Sequence, residues 1–142
     1  AIPRPAPGKE HIYNIKGSLA RIQVANLALR ASGHPVTDAE AVKGLDLFFA
    51  HHRFLNAAVS RPIPHEAYYY NSGYFYLFGH AYAARLAQGL APTLRDRYLP
   101  RIQQEVLKLQ DANGSFSDFP MLGYHRPYGT AFALIALAPT AP

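Results

Sequence analysis

Three glycines, Gly17, Gly73 and Gly129, recur at equal intervals of 56 residues, and each opens an apolar helical run. A period of that length marks stacked supersecondary units, each too small to bury its own apolar face. The runs are Ser18 to Leu29, Tyr74 to Leu86 and Thr130 to Leu137, where Ala and Leu alternate with larger side chains. Gly33 and Gly89 repeat at the same interval, just past the first two runs. Both are expected in the left-handed conformation that ends a helix without strain.

A second helix follows each of the first two runs. Thr37-Asp38-Ala39-Glu40 reads as a capping box, in which hydroxyl and carboxylate satisfy amides of the first turn. Thr93 with Asp96 reads as a looser version of the same start. Behind these caps, Val42, Leu45, Phe49 and His52, and then Leu99, Ile102, Val106 and Leu109, keep a helical period. Pro100 falls near the expected first turn of the later helix and predicts a local start or kink there. The chain therefore reads as all-α, with helices at about 15–31, 37–54, 72–88, 93–110 and 128–138.

Composition narrows the class. The 142 residues suffice for one domain with a real core, and 49% hydrophobic against 16% charged residues belongs to a folding chain. No window is apolar over the length a membrane span needs. With no cysteine, disulfides, thiolate nucleophiles and sulfur-held zinc are excluded. A net charge of +5 invites a nucleic-acid reading, but the basic residues are scattered. Only Arg95, Arg97 and Arg101 cluster, without an interleaved aromatic motif, so no nucleic-acid partner is expected. The compartment stays open.

The stretch Gln110-Asp111-Ala112-Asn113-Gly114-Ser115-Phe116, followed by Tyr128-Gly129-Thr130-Ala131-Phe132-Ala133-Leu134, resembles the repeat of squalene and hopene cyclases and protein prenyltransferases. In that family a Gln ends the outer helix, a Gly and an aromatic, usually Trp, follow in the loop, and a small-residue-rich inner helix comes next. Phe116 stands here in place of the Trp. The resemblance implies repeated antiparallel helical hairpins forming an arc of an α/α toroid. It divides the chain into a Pro-rich lead, 1–14, and a repeat domain, 15–142, with units at about 15–70 and 71–127 and a half unit at 128–138. It also implies that Gln110 bonds backbone at a neighbouring helix end while Phe116 stacks beside it.

The family's chemistry does not transfer. Its cyclases protonate an alkene from an Asp-rich motif, whereas Asp118 stands alone, and its zinc enzymes need a Cys. The implied function is a non-catalytic binding or assembly module, or part of a longer protein, with no cofactor and no metal. A terpene cyclase-like enzyme would need residues outside this chain. An arc open at both edges is expected to meet a second copy or the remainder of a longer chain.

Candidate site residues come from the loops before the inner helices. Tyr70, Asn71 and Tyr74 precede one, and Tyr124, His125 and Arg126 precede another. Toroid loops of this kind rim a central cavity, where aromatics stack sugars or apolar chains. The plainer reading packs these tyrosines between hairpins. His80, one turn into its helix, either faces the cavity as a base or ligand or is a hydrogen-bonded packing residue. Tyr76, Phe78 and Tyr82 read as inter-helix packing. If the two loops converge, Asn71, Tyr74, His80, Tyr124, His125 and Arg126 form a polar, partly cationic pocket. That pocket suits the rival reading, a lyase on an anionic sugar polymer, in which Asn, His or Arg neutralises a uronate and Tyr or His moves the proton.

Overall fold

The computed structural model describes residues 10–59, 73–119, 123 and 125–138, with the helical backbone alone over 10–17. Its described residues are helical: α1 (Glu10–Ala31), α2 (Asp38–Ala50), α3 (Arg53–Asn56), α4 (Phe75–Gln88), α5 (Pro92–Leu107) and α6 (His125–Leu137). Among them no helix is long and apolar enough to cross a membrane.

Local chemistry accounts for the ends of α1 and α2. Gly33, at φ +81°, closes α1: its amide donates to the Arg30 carbonyl, and the His34 amide reaches back to Leu29. The expected capping box opens α2, with the Glu40 amide donating to Thr37 Oγ1 at 3.3 Å and the Thr37 amide to Glu40 Oε2 at 2.8 Å. Asp38, next to the cap, ties the end of α1 to the start of α5. One of its oxygens takes Arg30 Nη2 at 2.9 Å and the other takes the Ala91 amide at 3.1 Å.

Several local expectations are corrected. Gly89 has φ −87°, not a left-handed angle, because α4 ends in a tight turn with Gly89 and Leu90 donating to Leu86 and Ala87. Thr93 and Asp96 do not cap α5. The helix starts one residue earlier, at Pro92, whose missing amide costs nothing at that position, and Asp96 instead takes Arg95 at 3.2 Å. Pro100 sits in the middle of α5, and the helix continues through it. Asp96, whose carbonyl lacks the usual amide partner, is exposed like Pro100 itself.

The three periodic glycines do not all open helices. Gly17 lies inside α1 and Gly129 inside α6, while Gly73 precedes α4 by two residues. Space unites the latter two. A Cβ on Gly73 would stand 2.9 Å from the Ala58 carbonyl and 3.0 Å from that of Asp118; one on Gly129 would stand 2.7 Å from that of Phe116. Gly73 fits between the backbones at Ala58 and Asp118, and Gly129 lets α6 lie against the backbone of the loop before it.

The core centres on α4. It packs against α1, α5 and α6, and its Leu77, Ala83, Ala84, Leu86 and Ala87 are buried with Leu19, Leu45, Phe48, Ile102, Val106 and Ala133. Small residues bring the axes together: a Cβ on Gly79 would lie 3.0 Å from Cα and Cβ of Ala20. Along α4 and α6 the contacts ascend together, from Tyr74 with Tyr128 through Phe78 with Phe132 to Gln88 with Ala138, so the two helices run in the same direction. Contacts between α1 and α4 ascend likewise, from Ala20 at Gly79 to Arg30 at Gly89.

The loop after α5 departs from the clamp implied by the resemblance. Gln110 bridges backbone with Phe116, and its side chain donates to the Gly114 carbonyl at 3.3 Å, within its own loop and exposed. Gly114 makes the turn at φ +86°. The contact to the next helix is made by Phe116 instead: its ring is buried and its amide donates to Thr130 Oγ1 at 3.0 Å.

Candidate functional site

Each residue of a helix turns the side-chain direction by about 100°, so positions two apart face nearly opposite ways. On α4 this separates two sets that lie close in sequence. Tyr76 and His80 face α2 and α5, whereas Phe78 and Tyr82 face α6.

The first set is a buried histidine pair. His52, in the turn after α2, and His80 approach at 2.8 Å between their Nε2 atoms, and His80 is fully buried. His80 Nδ1 lies 2.7 Å from the Tyr76 carbonyl, which can only accept, so the proton sits on Nδ1. His80 Nε2 then accepts, and His52 Nε2 donates to it. Tyr76 stacks on His80 at 4.2 Å, Phe48 sets its edge against both imidazoles, and the Tyr76 hydroxyl donates to Glu105 at 3.3 Å.

Burial holds both rings neutral. It lowers His52 to about 4, against the pull of Glu105, and lowers His80 to about 3, with His52 adding to the effect. His80 therefore does not stand at a cavity rim: it is a hydrogen-bonded packing residue, the plainer of the two sequence readings. A base so weak and so enclosed takes no proton from a substrate at neutral pH.

The second set forms an aromatic wall. The Tyr128 hydroxyl donates to the Tyr74 carbonyl at 2.6 Å, and Tyr128 meets Phe132 at 4.8 Å. Phe132 meets Phe78 at 5.6 Å, and Phe78 meets Tyr82 at 4.9 Å. All are half-buried. The wall ends in an open pocket of about 250 Å³ lined by Ala81, Tyr82, Arg85, Phe132 and Ile135. No carboxylate among the described residues pairs with Arg85, which is exposed at this pocket.

Asp118 is the most perturbed carboxylate. It is wholly buried, its Oδ2 accepts the Leu77 amide at 2.8 Å in the first turn of α4, and its Oδ1 has no hydrogen-bond partner among the described residues. Burial pushes it up to about 6, with the Leu77 amide and His125 opposing. Geometrically it is a cap supplied from 41 residues away.

Of the seven rim candidates, four lie among the described residues: Tyr74, His80, His125 and Arg126. Tyr70, Asn71 and Tyr124 lie outside the described residues. Tyr74 joins the aromatic wall through its carbonyl, and its ring meets Phe75 at 4.7 Å. His125 is buried with its ring against Phe119, and Arg126 is exposed and pairs with Asp111 at 3.5 Å. Sequence reasoning passed over Arg85, Tyr128 and Phe132; the one signal for them was the spacing of Tyr74, Phe78, Tyr82 and Arg85 along one face of α4. Among the described residues no group of three or more His, Asp or Glu side chains is arranged to hold a metal ion. No protein-family model, curated protein or solved structure matches the chain.

Proposed function

We propose that this chain is an arc of an α/α toroid, built from antiparallel helical hairpins of the prenyltransferase and squalene cyclase repeat type, and that it acts as a non-catalytic binding module. The layer of α1, α4 and α6 supports the architecture, since these helices follow one another in space and run in the same direction. Helices α2 and α5 pack against α1 and α4 as outer members would.

The observation that carries the function is the aromatic wall from Tyr74 to Tyr82, which ends at the guanidinium of Arg85. A half-buried face of rings beside a cation that no described carboxylate pairs suits a ligand with an apolar or ring-bearing body and an anionic group. Among the described residues the two histidines of the lyase reading, His80 and His125, are buried, which weighs against that reading.

Calorimetric titration with farnesyl diphosphate and with an oligogalacturonate tests the reading. Binding of either, weakened at least tenfold by Arg85→Ala and by Phe132→Ala in folded protein, supports it and names the class. Binding of neither, or binding indifferent to both substitutions, removes the wall as the recognition face.

A further inference from the structure

The open pocket at the end of the aromatic wall is graded along α4. Ala81 is buried and Arg85, one turn and about 6 Å further along the axis, is exposed, so the pocket has an apolar inner end and a charged mouth. Beside them Tyr82 and Phe132 stand 6.4 Å apart at 45°, and Ile135 completes the lining. A ligand ring set against this pair meets ring edges and faces at the tilted angles that aromatic groups prefer.

Charge and size narrow what fits. Arg85 is the only charged residue of the lining, and no described residue bonds its guanidinium. The Tyr82 hydroxyl likewise has no hydrogen-bond partner among the described residues. A single positive charge with a second donor beside it matches a carboxylate, whose two oxygens a guanidinium meets side by side. A diphosphate brings more negative charge than this lining neutralises. Among the described residues no group of His, Asp and Glu is arranged to hold a metal ion that would offset the excess. The volume, about 250 Å³, lies below the roughly 300–1,000 Å³ of sites that enclose drug-sized ligands, so one ring with its acid group fills it.

We propose that the pocket selects a carboxylate borne on a single ring, with the ring against Phe132 and the carboxylate on the Arg85 guanidinium beside the Tyr82 hydroxyl. This rests on the wall being the recognition face, and it chooses the anionic group and the size of the body that the mouth admits. A small aromatic acid and the end ring of a uronate chain share this chemistry. So small a body gains little from burial, so the free acid binds weakly, with a Kd of millimolar order.

NMR titration of the 142-residue chain tests this with four probes: hydrocinnamate, its uncharged amide, an oligogalacturonate and farnesyl diphosphate. Hydrocinnamate and the oligogalacturonate are each expected to shift the resonances of Tyr82, Arg85 and Phe132 saturably, and the tighter of the two names the source of the carboxylate. The amide, of the same shape without the charge, should bind at least tenfold more weakly than the acid, and both acids should lose at least tenfold on Arg85→Gln. Arg85 is exposed, so that variant should melt near wild type, and the comparison of acid with amide on the wild-type protein needs no variant. Equal binding of acid and amide overturns the proposal, as does acid binding indifferent to Arg85→Gln. Farnesyl diphosphate binding more tightly than either acid, and through Arg85, also overturns it while leaving the wall as the recognition face. Binding of neither farnesyl diphosphate nor the oligogalacturonate removes the wall and this proposal together.

Discussion

His80 donates through Nδ1 to the Tyr76 carbonyl and accepts through Nε2 from His52, 2.8 Å away. This places two neutral imidazoles in series between α2 and α4: His80 cannot take a proton without losing the bond from His52, while His52 can take one on Nδ1 alone.

Acid should therefore destabilise the fold through this pair. The unfolded chain binds protons at both histidines below about pH 6.5, whereas the folded chain does so only near 4 and 3. Stability is complete above the unfolded value and declines as pH falls toward the folded ones, by about 1.4 kcal/mol per proton per pH unit. Melting temperatures at pH 7.5 and 5.0 measure the decline. Imidazole NMR should show both rings neutral at pH 5.5, and titration of either near 6.5 would contradict the assigned pair.

Asp118 should act in the opposite sense with pH. Its folded value is raised to about 6 from 3.8, so the folded state binds a proton first and gains stability as pH falls through 6 toward 3.8. Asp118→Ala should cost about 1–3 kcal/mol at pH 7, since it strips the Leu77 amide of its acceptor. Asp118→Asn keeps an oxygen there and should cost less at pH 7. Its deficit should then widen toward pH 4, because the amide cannot take up the proton. Urea denaturation of the three proteins at both pH values gives the comparison.

Close approach at Gly129 predicts a steric cost. An Ala there would put its Cβ 2.7 Å from the Phe116 carbonyl oxygen and 3.1 Å from Leu77, and the first of these neighbours is backbone. Gly129→Ala should lose about 1–3 kcal/mol. Gly123→Ala, where no atom comes within 4 Å of the added Cβ, should stay near wild type. Equal melting temperatures for the two variants would show that α6 does not lie this tightly on the Phe116 loop.

Gly33 and Gly89, 56 residues apart, should respond differently to the same change. Gly33→Ala forces a Cβ onto φ +81° and should cost about 1 kcal/mol. Gly89, at φ −87° with its added Cβ at 3.6 Å or more from any neighbour, should accept Ala neutrally or with a gain of about 0.4–1 kcal/mol. Thermal melts of the two single variants decide the matter.

What the sequence determined by itself was local. The all-α class, the approximate extents of α1, α2, α4 and α6, the Thr37/Glu40 capping box and the turn at Gly33 are written in residues three to five positions apart, where one turn of backbone already brings the groups together. Tertiary structure decided which way each helix face points. Tyr76, Phe78, His80 and Tyr82 alternate within seven positions of the chain, but they part into a buried histidine pair and an aromatic wall, because His52 lies 28 residues from His80 and Phe132 lies 54 from Phe78. Gly89 and Gln110 follow the same division: their spacing matched a pattern, but the turn after α4 and the self-contained Gln110 loop set their geometry. Asp118 is the clearest instance. Its identity as a cap depends on an amide 41 residues away, and only the packed fold places that amide beside it and removes the water from both.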